Sequence, residues 1–206
     1  MDFSEIFWVD HQCKVAPPQV KSQLFLDDEP FSIFHINVCS FNQHLTELEL
    51  LLADMNINFS CIVISETWFT QSTYKNKFAM KGYNFYCSSR VNGGGGGIAV
   101  YVSDKFEARC VDVRLVGSEA LLVHVGRGGR AVSSVLAIYR APSGLVRDFL
   151  GDLEEHLSSL PSGSNSIVIG DLNIDINKNN YLDNNSTMYL DLIGQYGFYN
   201  TIFFTN

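Results

Sequence analysis

The sequence predicts an α/β fold in which two packed β-sheets are flanked by helices. Three observations lead there. Apolar runs such as Phe59–Ser65 and Ser166–Ile169 are nearly continuous, as in strands covered on both faces. Segments of helical spacing precede both of these runs, which is the pattern of strand–helix–strand units. Between those units lies a block of shorter strands separated by turn signals, enough for further sheet.

In chain order, residues 1–30 read as a peripheral N-terminal segment. Pro17-Pro18 and Asp27-Asp28-Glu29-Pro30 punctuate it, and it shows little periodicity. The folded domain is expected over 31–206. It opens with the strand Phe31–Asn37, rich in aromatic and β-branched residues. A helix follows, with Leu45, Leu48, Leu51, Leu52 and Met55 on one face and Asn42 as its expected N-cap. The run Phe59–Ser65 is a central strand. Tyr83–Cys87, Gly97–Val102, Ala108–Leu115, Ala120–Val125 and Val132–Tyr139 supply the shorter strands. A second helix is predicted from about Leu145, with Phe149, Leu153, Leu157 and Leu160 at helical spacing, ended by Pro161 and Gly163. The strand Ser166–Ile169 comes next. A third helix from about Ser186 carries Tyr189, Leu192, Ile193 and Tyr196 and stops at Gly197.

Composition narrows the function. Hydrophobic residues make up 46% of the 206 and charged residues 17%, the balance of a folded domain. The formal net charge of −8 excludes a broad basic surface for nucleic acid. It still allows a nuclease whose positive charge is local or carried by a metal ion. The five cysteines are odd in number, widely spaced and without a CxxC pair, which argues against a zinc ribbon or a disulfide framework. Cys39 and Cys61 border apolar runs and read as buried free thiols. No apolar stretch approaches the roughly 18 residues of a membrane span, and the N-terminus is too polar for a signal peptide. An intracellular, reducing compartment is expected.

Four strands deliver polar groups at their ends: Asn37, Glu66, Tyr139-Arg140, and Asp171 with Asn173. Ligands in layered α/β proteins gather outside the carboxyl ends of strands. Glu66 abuts an apolar run, where a charge needs a partner or a metal. One carboxylate with neutral amides suits Mg²⁺, which keeps several waters and takes phosphate oxygens. Asp171 has the chemistry to orient or deprotonate water, or simply to form an Asx turn after Gly170. Tyr139 and Arg140 can bond a phosphate, although a strand-end aromatic and a solvated arginine are the plainer alternatives. Gly93–Gly97 lacks the Lys-Ser/Thr of a phosphate loop and precedes a strand, so it reads as a hairpin connection. Arg90 beside it is a weak candidate for a phosphate contact. The histidines (His11, His35, His44, His124, His156) show no metal-ligand spacing, and His35 and His124 read as structural strand residues.

Taken in order, Ile36–Ser40, Ile64-Ser-Glu66-Thr-Trp68, Gly95–Tyr101, Ile138-Tyr-Arg-Ala-Pro142 and Gly170-Asp-Leu-Asn-Ile-Asp175 resemble the endonuclease/exonuclease/phosphatase superfamily. The wording is most similar to the apurinic-type endonuclease domain of LINE-type (non-LTR) retrotransposons, from about Phe31 to Asn206. The resemblance implies a deoxyribonuclease I-like four-layer α/β sandwich. It implies that Glu66 binds Mg²⁺ (or Mn²⁺) with help from Asn37, that Tyr139 contacts the scissile phosphate, that Asp171 positions or activates water, and that Asn173 helps hold the phosphate. DNA is the implied partner, with the remainder of a reverse-transcriptase-bearing polyprotein and no membrane. The implied reaction is a nick leaving a 3′-hydroxyl, in the nucleus if genomic DNA is the target.

The likeness departs after Gly197. There Gly197–Asn206 passes directly to a segment resembling one that lies further on in the family, and the terminal Ser-Asp-His motif has no counterpart. The expected sandwich is therefore incomplete at its C-terminus. Two alternatives follow: a catalytically inactive truncated remnant, and a small-molecule phosphatase of the same fold.

Overall fold

The computed structural model describes residues 7–9, 31–88, 95–160, 165–176 and 183–199. The first sheet holds β1 (Phe7–Val9), β2 (Ile33–Asn37), β3 (Cys61–Ser65), β4 (Tyr83–Ser88) and β5 (Ile98–Ser103), in the order β1-β2-β3-β5-β4. The second holds β6 (Glu107–Val113), β7 (Ser118–Arg127), β8 (Arg130–Arg140) and β9 (Ser166–Asp171), in sequence order. Each sheet contains one parallel pair made by a helical crossover. In the first, α1 (Phe41–Met55) connects β2 to β3; in the second, α2 (Val146–Ser159) connects β8 to β9. The third helix, α3 (Asn184–Gln195), packs with α2.

Period-two alternation sorts the strand residues into layers. Ile33, Cys61, Val63, Val100, Val123, Val135, Ala137 and Ile169 face inward and join the two sheets. Phe34, Ile36, Ile62, Ile64 and Tyr101 face outward and are covered by Phe41 and Leu48 of α1. On the opposite side Leu136 and Ile138 meet Phe149 and Leu153 of α2 and Leu192 and Ile193 of α3. The result is helix, sheet, sheet, helix: the predicted four-layer sandwich.

Two local expectations fail. Asn42 lies inside the first turn of α1 rather than before it; the N-cap position is Ser40, in left-handed backbone and without a side-chain cap. Asn42 instead accepts from Lys77 Nζ at 2.7 Å. Cys39 is exposed, whereas Cys61 is buried as expected. Cys39 falls one residue past the end of the apolar register, so its side chain leaves the core. One element went unread: Phe7–Val9 adds an antiparallel edge to β2, pairing Trp8 with Phe34. A three-residue strand is too short to show periodicity.

His35 is a structural strand residue, fully buried, with Nε2 3.0 Å from Ser65 Oγ. Burial pushes its pKa from 6.5 down to about 3. The unfolded chain binds that proton near 6.5 and the folded chain only near 3, so stability is whole above 6.5 and falls as pH drops through this window. The loss attributable to this one residue reaches about 5 kcal/mol once pH has fallen below about 3. Thermal melts between neutral and mildly acidic pH are expected to show it, and His35→Gln is expected to flatten the slope. An equally steep slope in the variant rules out His35 as its source.

Candidate active site at the strand carboxyl ends

The two parallel pairs end at the same edge of the sandwich. The β2–β3 register closes on Asn37 opposite Ser65, and the β8–β9 register on Tyr139 opposite Asp171. Asn37 follows Ile33 and His35 on the inward face, Tyr139 follows Val135 and Ala137, and Asp171 follows Ile169. Alternation therefore delivers three polar side chains into the slot between the sheets, one step beyond the apolar core. There Asn37 Nδ2 donates to Asp171 Oδ2 at 2.9 Å, and Tyr139 Oη donates to Glu66 Oε1 at 3.3 Å. Each bond joins one sheet to the other.

Glu66 reaches that slot by a different route. Ile62 and Ile64 face α1, and simple alternation would send Glu66 the same way. Left-handed backbone at Glu66 (φ 53°) breaks the alternation. Its carboxylate takes the Tyr139 hydroxyl on one oxygen and the indole N–H of Trp68 on the other, at 3.3 Å. The distortion is collective. Of the six non-glycine residues with positive φ among the described residues, Cys39, Ser40, Glu66, Trp68 and Asn173 flank these strand ends. Such strain, about 1–3 kcal/mol per residue, persists only where the surroundings impose it, and it gathers at functional sites. Here Ser40 N–H bonds to Glu66 O and Phe41 N–H to Thr67 O, at 2.9 and 3.1 Å, holding the two loops together.

The loop after β9 is equally constrained. Gly170 pairs with Ile138 at φ 140°, and a Cβ there would stand 1.8 Å from Ile138 O, so only glycine fits. Asp171 Oδ1 accepts from Asn173 N–H at 3.0 Å, the Asx turn that the residue order allowed. Both Asp171 oxygens are thus oriented. Desolvation holds its carboxyl above the ordinary value; the bonds from Asn173 and Asn37 oppose the rise, Glu66 adds to it, and Arg140 opposes it.

Arg140, a weak phosphate candidate with a solvated arginine as the plainer alternative, is not solvated. It follows Leu136 and Ile138 on the outward face and is only 2% exposed. Nε donates to Leu172 O at 2.6 Å and Nη2 to Asn173 O at 2.8 Å; Nη1 reaches Ala141 O and Gly144 O at 3.0 and 2.9 Å. In return Asn173 Nδ2 donates to Arg140 O at 2.8 Å. The guanidinium ties the Asp171–Asn173 loop to the Ala141–Gly144 loop, and it lines a cleft of about 420 Å³ with Pro142, Arg147, Asn173 and Asp183. Arg90 lies outside the described residues.

Sequence reasoning missed two participants. Glu119 stands opposite Tyr139 on β7, nearly buried, and accepts from Gly97 N–H at 3.2 Å. The signal was a carboxylate at the mouth of the apolar run Ala120–Val123. Trp68, the last residue of the Ile64–Trp68 segment, is the other: its indole N–H donates to Glu66 Oε2. No set of three or more His, Cys, Asp or Glu gathers for a metal among the described residues. The donors at Glu66 and Asn37 are hard oxygens from one carboxylate and one amide, which fits an ion that keeps water and phosphate ligands and does not fit zinc.

No family model matches the sequence. No curated protein matches it either. Solved structures do. The AP endonuclease LMAP from Leishmania major superposes with a TM-score of 0.59 at 16% identity, covering 80% of this chain and 66% of its own. An AP endonuclease from Archaeoglobus fulgidus gives 0.60 at 16% identity, over 79% and 70%. The 3′ phosphatase NExo from Neisseria, bound to product DNA hairpin, gives 0.60 at 16%, again over 79% and 70%. The alignments thus cover about two thirds of the length of those structures. The chain has the α/β fold that AP endonucleases and this 3′ phosphatase share.

Two substitutions test the framework of the site. Gly170→Ala is expected to cost on the order of 3 kcal/mol or more, because the clash is with backbone of the neighbouring strand. Arg140→Lys keeps the charge but cannot span four carbonyls from one nitrogen, and is expected to cost on the order of 2–4 kcal/mol. Chemical denaturation measures both, and near-native midpoints overturn these assignments.

Proposed function

We propose that this chain is a divalent-cation-dependent phosphodiesterase domain that nicks DNA and derives from a LINE-type retrotransposon. The observation that supports it most directly is the pair of cross-sheet bonds, Asn37–Asp171 and Tyr139–Glu66, which unite the polar ends of four strands in one slot. Glu66 and Asn37 are the residues that would hold Mg²⁺ or Mn²⁺. When bound, such an ion neutralises charge on the scissile phosphate and on the departing oxygen.

The remaining steps belong to side chains. Tyr139 turns its hydroxyl from Glu66 to a non-bridging phosphate oxygen. Asp171 accepts the proton of the attacking water, and its raised pKa strengthens it as a base. Asn37 and Asn173 fix the angle of that carboxylate through their bonds to its two oxygens. The Asn173 side chain is anchored by its Nδ2 on Arg140 O, and its amide oxygen is the group assigned to help hold the phosphate. The water oxygen bonds to phosphorus as the P–O3′ bond breaks, leaving a 5′-phosphate, and the departing 3′-oxygen takes a proton from solvent water to become the 3′-hydroxyl. If genomic DNA is the target, the protein acts in the nucleus, and the other parts of a retrotransposon product are its proposed partners.

The second reading is binding without turnover. His35 bonds Ser65, His44 Glu47, His124 Ser134 and His156 Arg114 O, so each described imidazole has one ring nitrogen held by a group other than Glu66, Tyr139 or Asp171. Relaxation of supercoiled plasmid separates the two. With Mg²⁺ and not with chelator, the wild type is expected to produce open circles, and Glu66→Gln and Asp171→Asn are each expected to slow this at least about a hundredfold in protein that still folds cooperatively, with the modest drop in melting temperature that the loss of one accepted hydrogen bond brings. Nicking that survives Glu66→Gln disproves the metal assignment; a folded wild type that never nicks leaves the binding domain.

A further inference from the structure

We infer that Trp68 is a stacking platform for a nucleobase of the strand whose phosphate occupies the site; the inference rests on the DNA reading above. Tryptophan is among the most buried residue types on average, yet Trp68 is 43% exposed while its neighbour Phe69 is 3% exposed in the core. Its backbone is left-handed at φ 56°, a rare state for a bulky aromatic. Two bonds hold it there: Trp68 N–H to Gly96 O at 2.9 Å, and indole Nε1 to Glu66 Oε2 at 3.3 Å. Gly95 passes close by, where an added Cβ would lie 3.9 Å from Nε1.

An exposed, strained and anchored indole is a preorganised surface. Its polar edge is spent on Glu66, so its faces are what remain to offer. The ring stands beside Glu66, the carboxylate assigned to the cation that meets the phosphate, and a base is joined to its phosphate through one sugar, so phosphate and base can be engaged together. Stacking also suits an acidic protein. With a net charge of −8, ionic attraction to DNA is weak, and base–aromatic contact adds affinity that does not depend on basic side chains.

The test uses two labelled probes of equal length and charge, a short oligothymidylate and an oligomer of abasic units, with Ca²⁺ in place of Mg²⁺. Fluorescence anisotropy is expected to show tighter binding of the thymidylate. Trp68→Leu is expected to weaken it about fivefold or more and to leave the abasic oligomer unaffected. Trp68→Phe keeps a ring without the N–H and is expected to retain most of the preference. In Trp8→Phe protein, where Trp68 is the only tryptophan left, thymidylate is expected to quench emission and the abasic oligomer is not. Trp68→Leu weakening both probes equally, or neither, overturns the inference, as does equal binding of both probes by the wild type. Equal binding leaves the DNA reading intact. A folded wild type that binds neither probe overturns both.

Discussion

Two hydrogen bonds between sheets, Asn37 to Asp171 and Tyr139 to Glu66, are the constraint on which the rest of the molecule depends. The apolar interior of the sandwich specifies only that the sheets face each other, because hydrophobic burial is non-directional. Directional bonds at one edge fix which strand ends meet. Burying those polar groups without partners would be costly, so each helps to secure the other's position. The same bonds that align the sheets hold the candidate catalytic carboxylates at defined angles.

Around that constraint the backbone accepts conformations that ordinary strand ends avoid. Gly170 threads past Ile138 where no side chain fits, and left-handed residues bend both loops over the slot. Arg140 answers from the outward face, donating to four carbonyls of the Ala141–Gly144 and Leu172–Asn173 loops. A buried guanidinium is costly by itself. Here its planar fork converts two irregular loops into one rigid support, which is a positioning task for which lysine lacks the geometry.

The fold is one shared with AP endonucleases and a 3′ phosphatase, and function resides in the site rather than in the fold. The site contains one oriented carboxylate with raised proton affinity, one carboxylate bracketed by a phenol and an indole, and two amides. That set suits an oxygen-ligated dication and an activated water. The plasmid and oligonucleotide experiments ask separately about hydrolysis and about base contact.

Much was legible from the chain itself. The layer order, both strand–helix–strand units and the cluster Asn37, Glu66, Tyr139, Asp171 and Asn173 follow from apolar runs that end in polar residues, because burial imposes periodicity and periodicity is written locally. What stayed hidden depends on contacts between residues far apart in sequence. Arg140 at the end of β8 looks solvated until Leu172 and Asn173 are folded against it. Cys39 lies one position past the apolar register and Asn42 two positions past the N-cap, because backbone turns beyond β2 are decided by bonds to Glu66 and Thr67. Trp68 is one apolar letter among many until left-handed backbone aims it outward. Sequence determined which groups the strands carry to their ends; tertiary structure decided which of them face one another, since direction is supplied by hydrogen bonds that only the folded chain can make.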